Sequence, residues 1–312
     1  MMRIGIDLGG TNTVAGLCTT DGKLIDKVSA PTPVGDPAGL CAVMRQLSLA
    51  LCTQNQVLYS DIESIGIGLP GIFVKKTCTL TFGTNLNMRN VCFADAFKPE
   101  FECKVEIDND ANCAALGEFA GGAGAGTRNL VMVTLGTGVG GGIVLGGRLF
   151  TGKDDIAGEI GHMVIVPNGF ACNCGRKGCL ETYASATGMI RLATNALGES
   201  AEESVLRARI EANGGKLTAK MVCDACDDGD ALAQRVFDDY CDYLACGLTN
   251  LVNLLQPDAI VVGGGVAGYG EKLLVPLRER VHRDQFKIGA EGTAIVQATL
   301  GNDAGIIGAA LL

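Results

Sequence analysis

The chain has 312 residues, of which 47% are apolar and 19% charged, with 45 glycines and a formal net charge of -9. That length exceeds what one hydrophobic core fills, so two α/β lobes with ample core material and many tight turns are expected, and wholesale disorder is excluded. The acidic balance opposes nonspecific binding to nucleic acid or anionic membrane, and no apolar run long enough for a membrane span and no signal-peptide anatomy appear, so a cytoplasmic protein is expected.

RIGIDL, TVAGLCT and KLIDKVSAPT read as three short strands separated by the turn GGTN and by Asp21-Gly22, a strong hairpin signal. Residues 39–56 have helical periodicity, SIGIGLPG is a short apolar strand, and KVEIDND is a strand followed by a helix beginning near Ala111. The second half repeats the plan: NLVMVTLG is a strand, GTGVGGG a glycine turn and IVLGGRLF a strand running back. Helices follow a cysteine-rich loop, the longest being DGDALAQRVFDDYCDYLACGLTNLVNLL. DAIVVGGG is then a buried strand, YGEKLLVPLRERV a helix, TAIVQATL the last strand and DAGIIGAALL a short closing helix. Two copies of a strand, glycine turn, strand opening predict two similarly folded lobes with a cleft between them.

Glycine loops bind phosphate because the backbone can approach without a Cβ and adopt positive φ. G-x-G-x-x-G occurs at Gly136, Gly138, Gly141 and again at Gly263, Gly265, Gly268. The first copy is followed by strand and not helix, and only about fifty residues follow the second, so a dinucleotide fold fails its context. GRLFTGKD nearly spells a Walker A loop, but Asp154 stands where Ser or Thr must ligate magnesium. DLGGTN at 7–12 and LGTGVGGG at 135–142 fit a hairpin-type phosphate loop better: glycine amides face phosphate, Thr11 adds a hydroxyl, and Asp7 can hold magnesium through water. A plain β-hairpin is the alternative for either loop alone.

Residues 159–181 gather His162, one of two histidines, with Cys172, Cys174 and Cys179 between Glu159 and Glu181. Three thiolates and an imidazole complete a tetrahedral set, so a zinc ion there would brace the fold and leave no position for activating water. Most of the other cysteines, among 14 in all, fall in apolar segments and read as reduced core residues; Cys223 and Cys226 form a second C-x-x-C with no partner pair nearby.

The ordered motifs DLGGTN, GIGLPG, IDNDAN, LGTGVGGG, AGEIGH, CNCGRKGCLE, VVGGGV and DAGIIGAALL span essentially the whole chain. Together they resemble the ROK family of sugar kinases and repressors, closest to its bacterial glucokinase branch, within the two-lobed actin, hexokinase and Hsp70-like fold (a duplicated ribonuclease H-like fold). The resemblance implies ATP-dependent phosphorylation of a hexose, glucose first, with N-acetylmannosamine, fructose, allose or mannose as alternatives. It implies Asp110 as general base, and Asn85, Asn109, Asp110, Glu159, His162 and Glu181 around the sugar. ATP would contact Asp7, Gly9, Gly10, Thr11, Asn12, Gly136, Thr137, Gly138, Gly264 and Gly265, with magnesium at Asp7 and structural zinc at His162, Cys172, Cys174 and Cys179.

Other roles stay open. Asp110 could cap the helix at ANCAALGE, Glu181 could cap ETYASATG, Glu159 could be a surface acid and His162 a core histidine. Met88 stands where the branch commonly places an aromatic residue, and the chain has no tryptophan. A family repressor would carry a helix-turn-helix before DLGGTN, and the first strand here starts at Arg3, which favours the kinase. The expected division is a small lobe, 1–112, completed by a helix at about 301–312, and a large lobe, 113–300, carrying the zinc loop and the dimer surface. A homodimer or homotetramer is expected.

Overall fold

The computed structural model describes residues 1–286 and 292–312. In chain order the elements are β1 (Met2–Leu8), β2 (Asn12–Thr19), β3 (Leu24–Pro31), α1 (Pro37–Gln54), β4 (Ile62–Leu69), β5 (Ile72–Val74), β6 (Thr79–Gly83), β7 (Met88–Cys92), β8 (Lys104–Asn109) and α2 (Asp110–Gly121). They continue with β9 (Leu130–Leu135), β10 (Val139–Leu145), β11 (Arg148–Leu149), α3 (Glu181–Ala184), α4 (Ala186–Glu199), α5 (Val205–Ala212), α6 (Ala219–Asp227) and α7 (Ala231–Leu255). The last are β12 (Ala259–Gly263), α8 (Glu271–Asp284), β13 (Ala294–Gln297) and α9 (Asp303–Ala310). Two compact units form: unit 1 is Met1–Met132, Gly142–Gly158 and Thr299–Leu312, and unit 2 is Val133–Gly141 and Glu159–Ala298. Among the described residues no helix is long and apolar enough to cross a membrane.

Unit 1 is built on a sheet of order β3-β2-β1-β4-β8, in which β1 pairs antiparallel with β2 and parallel with β4. Alternation decides its two faces. Ile4, Ile6, Ile65 and Ile67 are fully buried and join one core with Leu40, Met44 and Leu51 of α1. Each such side chain removed from water stabilises the fold by about 1.5–3 kcal/mol.

On the other face the register aligns Gly16, Gly5 and Gly66 across β2, β1 and β4. This row seats α9 backbone against backbone. A Cβ at Gly5 would lie 1.9 Å from the Ile306 carbonyl oxygen, and one at Gly66 1.8 Å from that of Ala309. Glycine closes the opposite side as well, since a Cβ at Gly117 of α2 would lie 2.2 Å from the Ala304 oxygen. Glu118, fully buried, accepts hydrogen bonds from the Thr299 and Leu300 amides at 2.9 and 2.8 Å and holds the segment leading into α9.

The second five-stranded sheet has order β11-β10-β9-β12-β13. Within unit 2, β12 is wholly buried, and α7 supplies Tyr240, Leu244 and Leu248 to the core, with the Tyr240 hydroxyl donating to the Ala184 carbonyl at 2.8 Å.

The structure differs from the sequence expectations in four places. GTGVGGG is a turn only through Gly138, because Val139 already opens β10. IVLGGRLF is not one strand: Gly146 and Gly147 have φ of +61° and +80°, the left-handed pair a two-residue hairpin requires, and the chain folds back as β10 and β11. ETYASATG is not one helix, because Ser185 leaves helical geometry to cap α4, accepting from the Gly188 amide at 2.9 Å. A three-stranded sheet of order β5-β6-β7 was not expected at all; its strands are three to five residues long and interrupted by positive-φ Cys78 and Asn87.

Candidate active site

In unit 1 the turn after β1 closes with the Gly9 amide donating to the Asn12 carbonyl at 3.0 Å. A hydroxyl relay fixes it: Thr32 Oγ1 donates to the Gly9 carbonyl at 2.7 Å and lies 3.0 Å from Thr13 Oγ1, which is buried. Gly10, Thr11 and Asn12 stay exposed, and a Cβ at Gly10 would lie 3.6 Å from Asn85, which sits between β6 and β7. The two loops therefore lie side by side. Asp7, at the end of β1, faces α9, where a Cβ at Gly305 would come within 3.3 Å of its Cγ.

Asp110 is the first residue of α2, and its neighbour Asn109 is the cap. Asn109 Oδ1 accepts from the Ala111 and Asn112 amides at 2.9 and 3.2 Å, leaving the Asp110 carboxylate exposed at the helix start. Asp110 Oδ1 also accepts from the Ala111 amide at 2.8 Å. Crowding by protein atoms nonetheless raises the Asp110 pKa, against the lowering effect of that amide. An accessible carboxylate can still lose much of its hydration when protein surrounds most of it. Asp7 is pushed up to about 6, first by burial and then by the negative charge of Asp110.

Buried Asp108 braces the same turn. It pairs with Lys75 Nζ and accepts from the Asn109 amide at 2.7 Å and from Asn112 Nδ2 at 2.8 Å.

In unit 2 the segment 163–180 folds into a tight loop. The Cys172 amide donates to the Arg176 carbonyl at 2.9 Å, and Gly175, at φ +87°, makes the turn that returns the chain. Stacking of Phe170 on Tyr183, with centroids 4.8 Å apart, and a hydrogen bond from the Phe170 amide to the Tyr183 hydroxyl at 2.9 Å fix the loop to α3. His162, Cys172, Cys174 and Cys179 place their donor atoms within 4.8 Å of one another. Tetrahedral zinc with bonds of about 2.3 Å sets sulfur–sulfur edges at roughly 3.8 Å. Here Cys174 and Cys179 sulfurs lie 3.7 Å apart, and Cys172 Sγ lies 3.6 Å from His162 Nδ1. Burial pushes the Cys179 thiol up to about 12, so a bound cation is what would let it ionise. The residues fit the ion.

With Nδ1 turned to the cysteines, His162 Nε2 lies 3.9 Å from Glu159 Oε2. Glu181 does not cap a helix by side chain; its Oε2 accepts from the Val139 amide at 3.1 Å, and its Oε1 lies 3.9 Å from Cys172 Sγ. A Cβ at Gly138 would collide with that Oε2 at 2.3 Å. The glycine turn 136–138 is thus attached to the cysteine loop.

Gly136, Thr137 and Gly265 line a cavity of about 720 Å³, together with Ala186, Ala219 and Tyr269. Gly264 supports it from behind at φ +87°, where a Cβ would lie 2.5 Å from the Leu135 carbonyl oxygen. Sequence reasoning missed the walls from α6 and Tyr269, and read α6 only through Cys223 and Cys226. Among the described residues those two form no metal cluster, and all 14 cysteines are free thiols. Of the residues expected at the site, Asp7, the 9–12 turn, Asn85, Asn109 and Asp110 lie in unit 1. Glu159, the cysteine quartet, Glu181, the 136–138 turn, Gly264 and Gly265 lie in unit 2.

A profile of the ROK family matches residues 3–312. This chain belongs to the ROK family. It is 42% identical over 309 residues to a glucokinase of Halalkalibacterium halodurans, covering 98% of this chain and 92% of that one. Among solved structures it is similar to a ROK family glucokinase from Streptomyces griseus in complex with glucose and AMPPNP, with TM-score 0.78, 32% identity and 99% and 98% of the two chains covered. A ROK hexokinase from Thermus thermophilus gives TM-score 0.82 and 32% identity, covering 100% and 97%. The two-lobed actin-like fold of ROK sugar kinases is therefore the fold of this ROK protein.

Proposed function

We propose that this protein transfers the γ-phosphoryl group of ATP to a hexose hydroxyl, with glucose the first acceptor. The observation that carries the reading is its identity with a glucokinase across almost its full length. In this reading Asp110 accepts the proton of the attacking hydroxyl; a carboxylate with a raised pKa is a stronger base once ionised. Asn109 spends its oxygen on the helix cap and directs its amide at Asp110, with the second amide hydrogen left for a sugar oxygen. Asn85, Glu159, His162 and Glu181 complete the hydroxyl set.

Backbone amides of the 9–12 and 136–138 turns, with Thr11 and Thr137, suit phosphate, and the 720 Å³ cavity bounded by α6 and Tyr269 suits the nucleoside, within the size range of small-molecule pockets. Asp7 is the carboxylate for magnesium: burial and Asp110 leave it a charge that a cation would offset. Bound there, magnesium would neutralise charge on the transferring phosphates. Zinc at the cysteine quartet would brace the loop that aims His162 and Glu181. A cytoplasmic homodimer or homotetramer belongs to the same reading.

The test is coupled ADP release with Mg-ATP over glucose, N-acetylmannosamine, fructose, allose and mannose. Highest kcat/KM with glucose is expected. ADP release with none of them overturns the kinase reading, and a clear preference for another sugar overturns the acceptor.

A further inference from the structure

β8 is an edge strand of the first sheet, and a cavity of about 680 Å³ opens along it within unit 1. None of the residues assigned above to sugar, nucleotide or metal lines it. Among its side chains, the wall holds four cations, Lys75, Lys76, Lys104 and Arg148, against two acids, Glu106 and Asp108, in a chain whose net charge is -9. Both acids are already matched: Lys104 Nζ lies 2.7 Å from Glu106, and Lys75 pairs with Asp108. Lys75 also reaches a third acid, Asp155, at 3.8 Å. Among the described residues Lys76 and Arg148 form no ion pair, and both are exposed. The cavity therefore presents two cationic side chains with no acidic side chain paired to them.

A guanidinium offers a planar fork that matches phosphate oxygens, and an ammonium beside it supplies a second charge-assisted donor. Two surplus positive charges match one dianion, and Val105, Leu149 and Leu311 give the same cavity apolar wall for a carbon body. We infer that this cavity is a binding site for a small phosphate monoester, and that Lys75 links its occupancy to the turn carrying Asp110. The link is short. Lys75 is in the cavity wall and pairs with Asp108, which is only 1% exposed and holds the Asn109 amide next to Asp110. A dianion that shares Lys75 weakens the brace on that turn. Only this second part rests on the sugar-kinase reading.

The test is calorimetric titration of glycerol 3-phosphate into the full chain, without sugar, once alone and once with excess AMPPNP. Saturable binding unaffected by AMPPNP is expected, at least tenfold weaker in the K76A/R148A double variant, whose basal turnover stays at the wild-type level. No saturable binding, equal binding by the double variant, or displacement by AMPPNP overturns the site. With glycerol 3-phosphate saturating, wild-type ADP release should fall at least twofold and the double variant should not respond. Unchanged wild-type turnover overturns the link while leaving the binding result to stand or fall by itself.

Discussion

The surroundings of Asp110 disfavour its charged form. Its pKa is raised by loss of hydration, so the folded state resists ionisation more than the unfolded chain does. That cost is absent below the ordinary aspartate value of 3.8 and builds as pH rises through the higher folded value. Asp110→Asn keeps an oxygen for the Ala111 amide but carries no charge. It should melt above the wild type at pH 8, with the gap narrowing toward pH 4, and thermal melts across that range measure it. The same variant should lose about 10²–10⁴ of turnover, as expected for a removed general base. The acid limb of wild-type kcat/KM should likewise sit above 3.8. A variant that melts higher yet keeps full activity would remove Asp110 from the mechanism. At the cysteine quartet, Cys174→Ser should lower bound zinc and sugar affinity together, read by metal analysis and by glucose titration. Stoichiometric zinc in the variant would overturn the ligand set.

Helix α9 shows how an element can depend on what is missing from its neighbours. Gly66→Ala would set a methyl 1.8 Å from the Ala309 carbonyl, with backbone on both sides and no flexible side chain to yield. Overpacking there should cost about 3 kcal/mol or more, measured by urea unfolding. The alternation of Ile4 and Ile6 with Gly5 made the strand legible in the sequence, and so were the meander, α7 and the closing helix. What the glycines were for was not legible, because a seat made of Gly16, Gly5 and Gly66 exists only once the distant strand β4 has joined the β1–β2 hairpin in register. The β5-β6-β7 sheet escaped for another reason: its short strands lack a period long enough to read. In the site, the turns and the quartet were readable because their chemistry is local. The α6 wall was not, because Ala219 has no chemical signature and gains a role only by facing Gly136 and Tyr269 across a cavity. The chain has no tryptophan, so Lys220→Trp on the rim of that cavity supplies a single reporter. Its emission should change on adding AMPPNP and stay flat on adding glucose alone; no response to AMPPNP would move the nucleotide elsewhere.

Across the whole molecule, the family relation fixes the class of reaction more firmly than the acceptor. In the proposed site, hydroxyl-reading residues would contribute to sugar choice through a few hydrogen bonds each, and a missing partner for a buried polar group discriminates more strongly than a missing methylene. Chain connectivity has a separate effect. Unit 1 takes residues 1–132 and 142–158 from the earlier part of the chain and its last 14 from 299–312, with residues 159–298 of unit 2 inserted before that last segment. During synthesis, then, β1, β2 and β4 would emerge with a glycine row facing nothing, while residues 159–298 are complete before the covering helix has been made. Chains build domains as units from the N-terminus, and contacts between distant segments are slow to form. Pulse proteolysis of a released chain ending at residue 298 should find the inserted unit protected and residues 1–132 cleavable. The carboxylates Asp7 and Asp110 would then reach their working arrangement only once α9 has left the ribosome and docked on the glycine row, which delays activity until that contact forms.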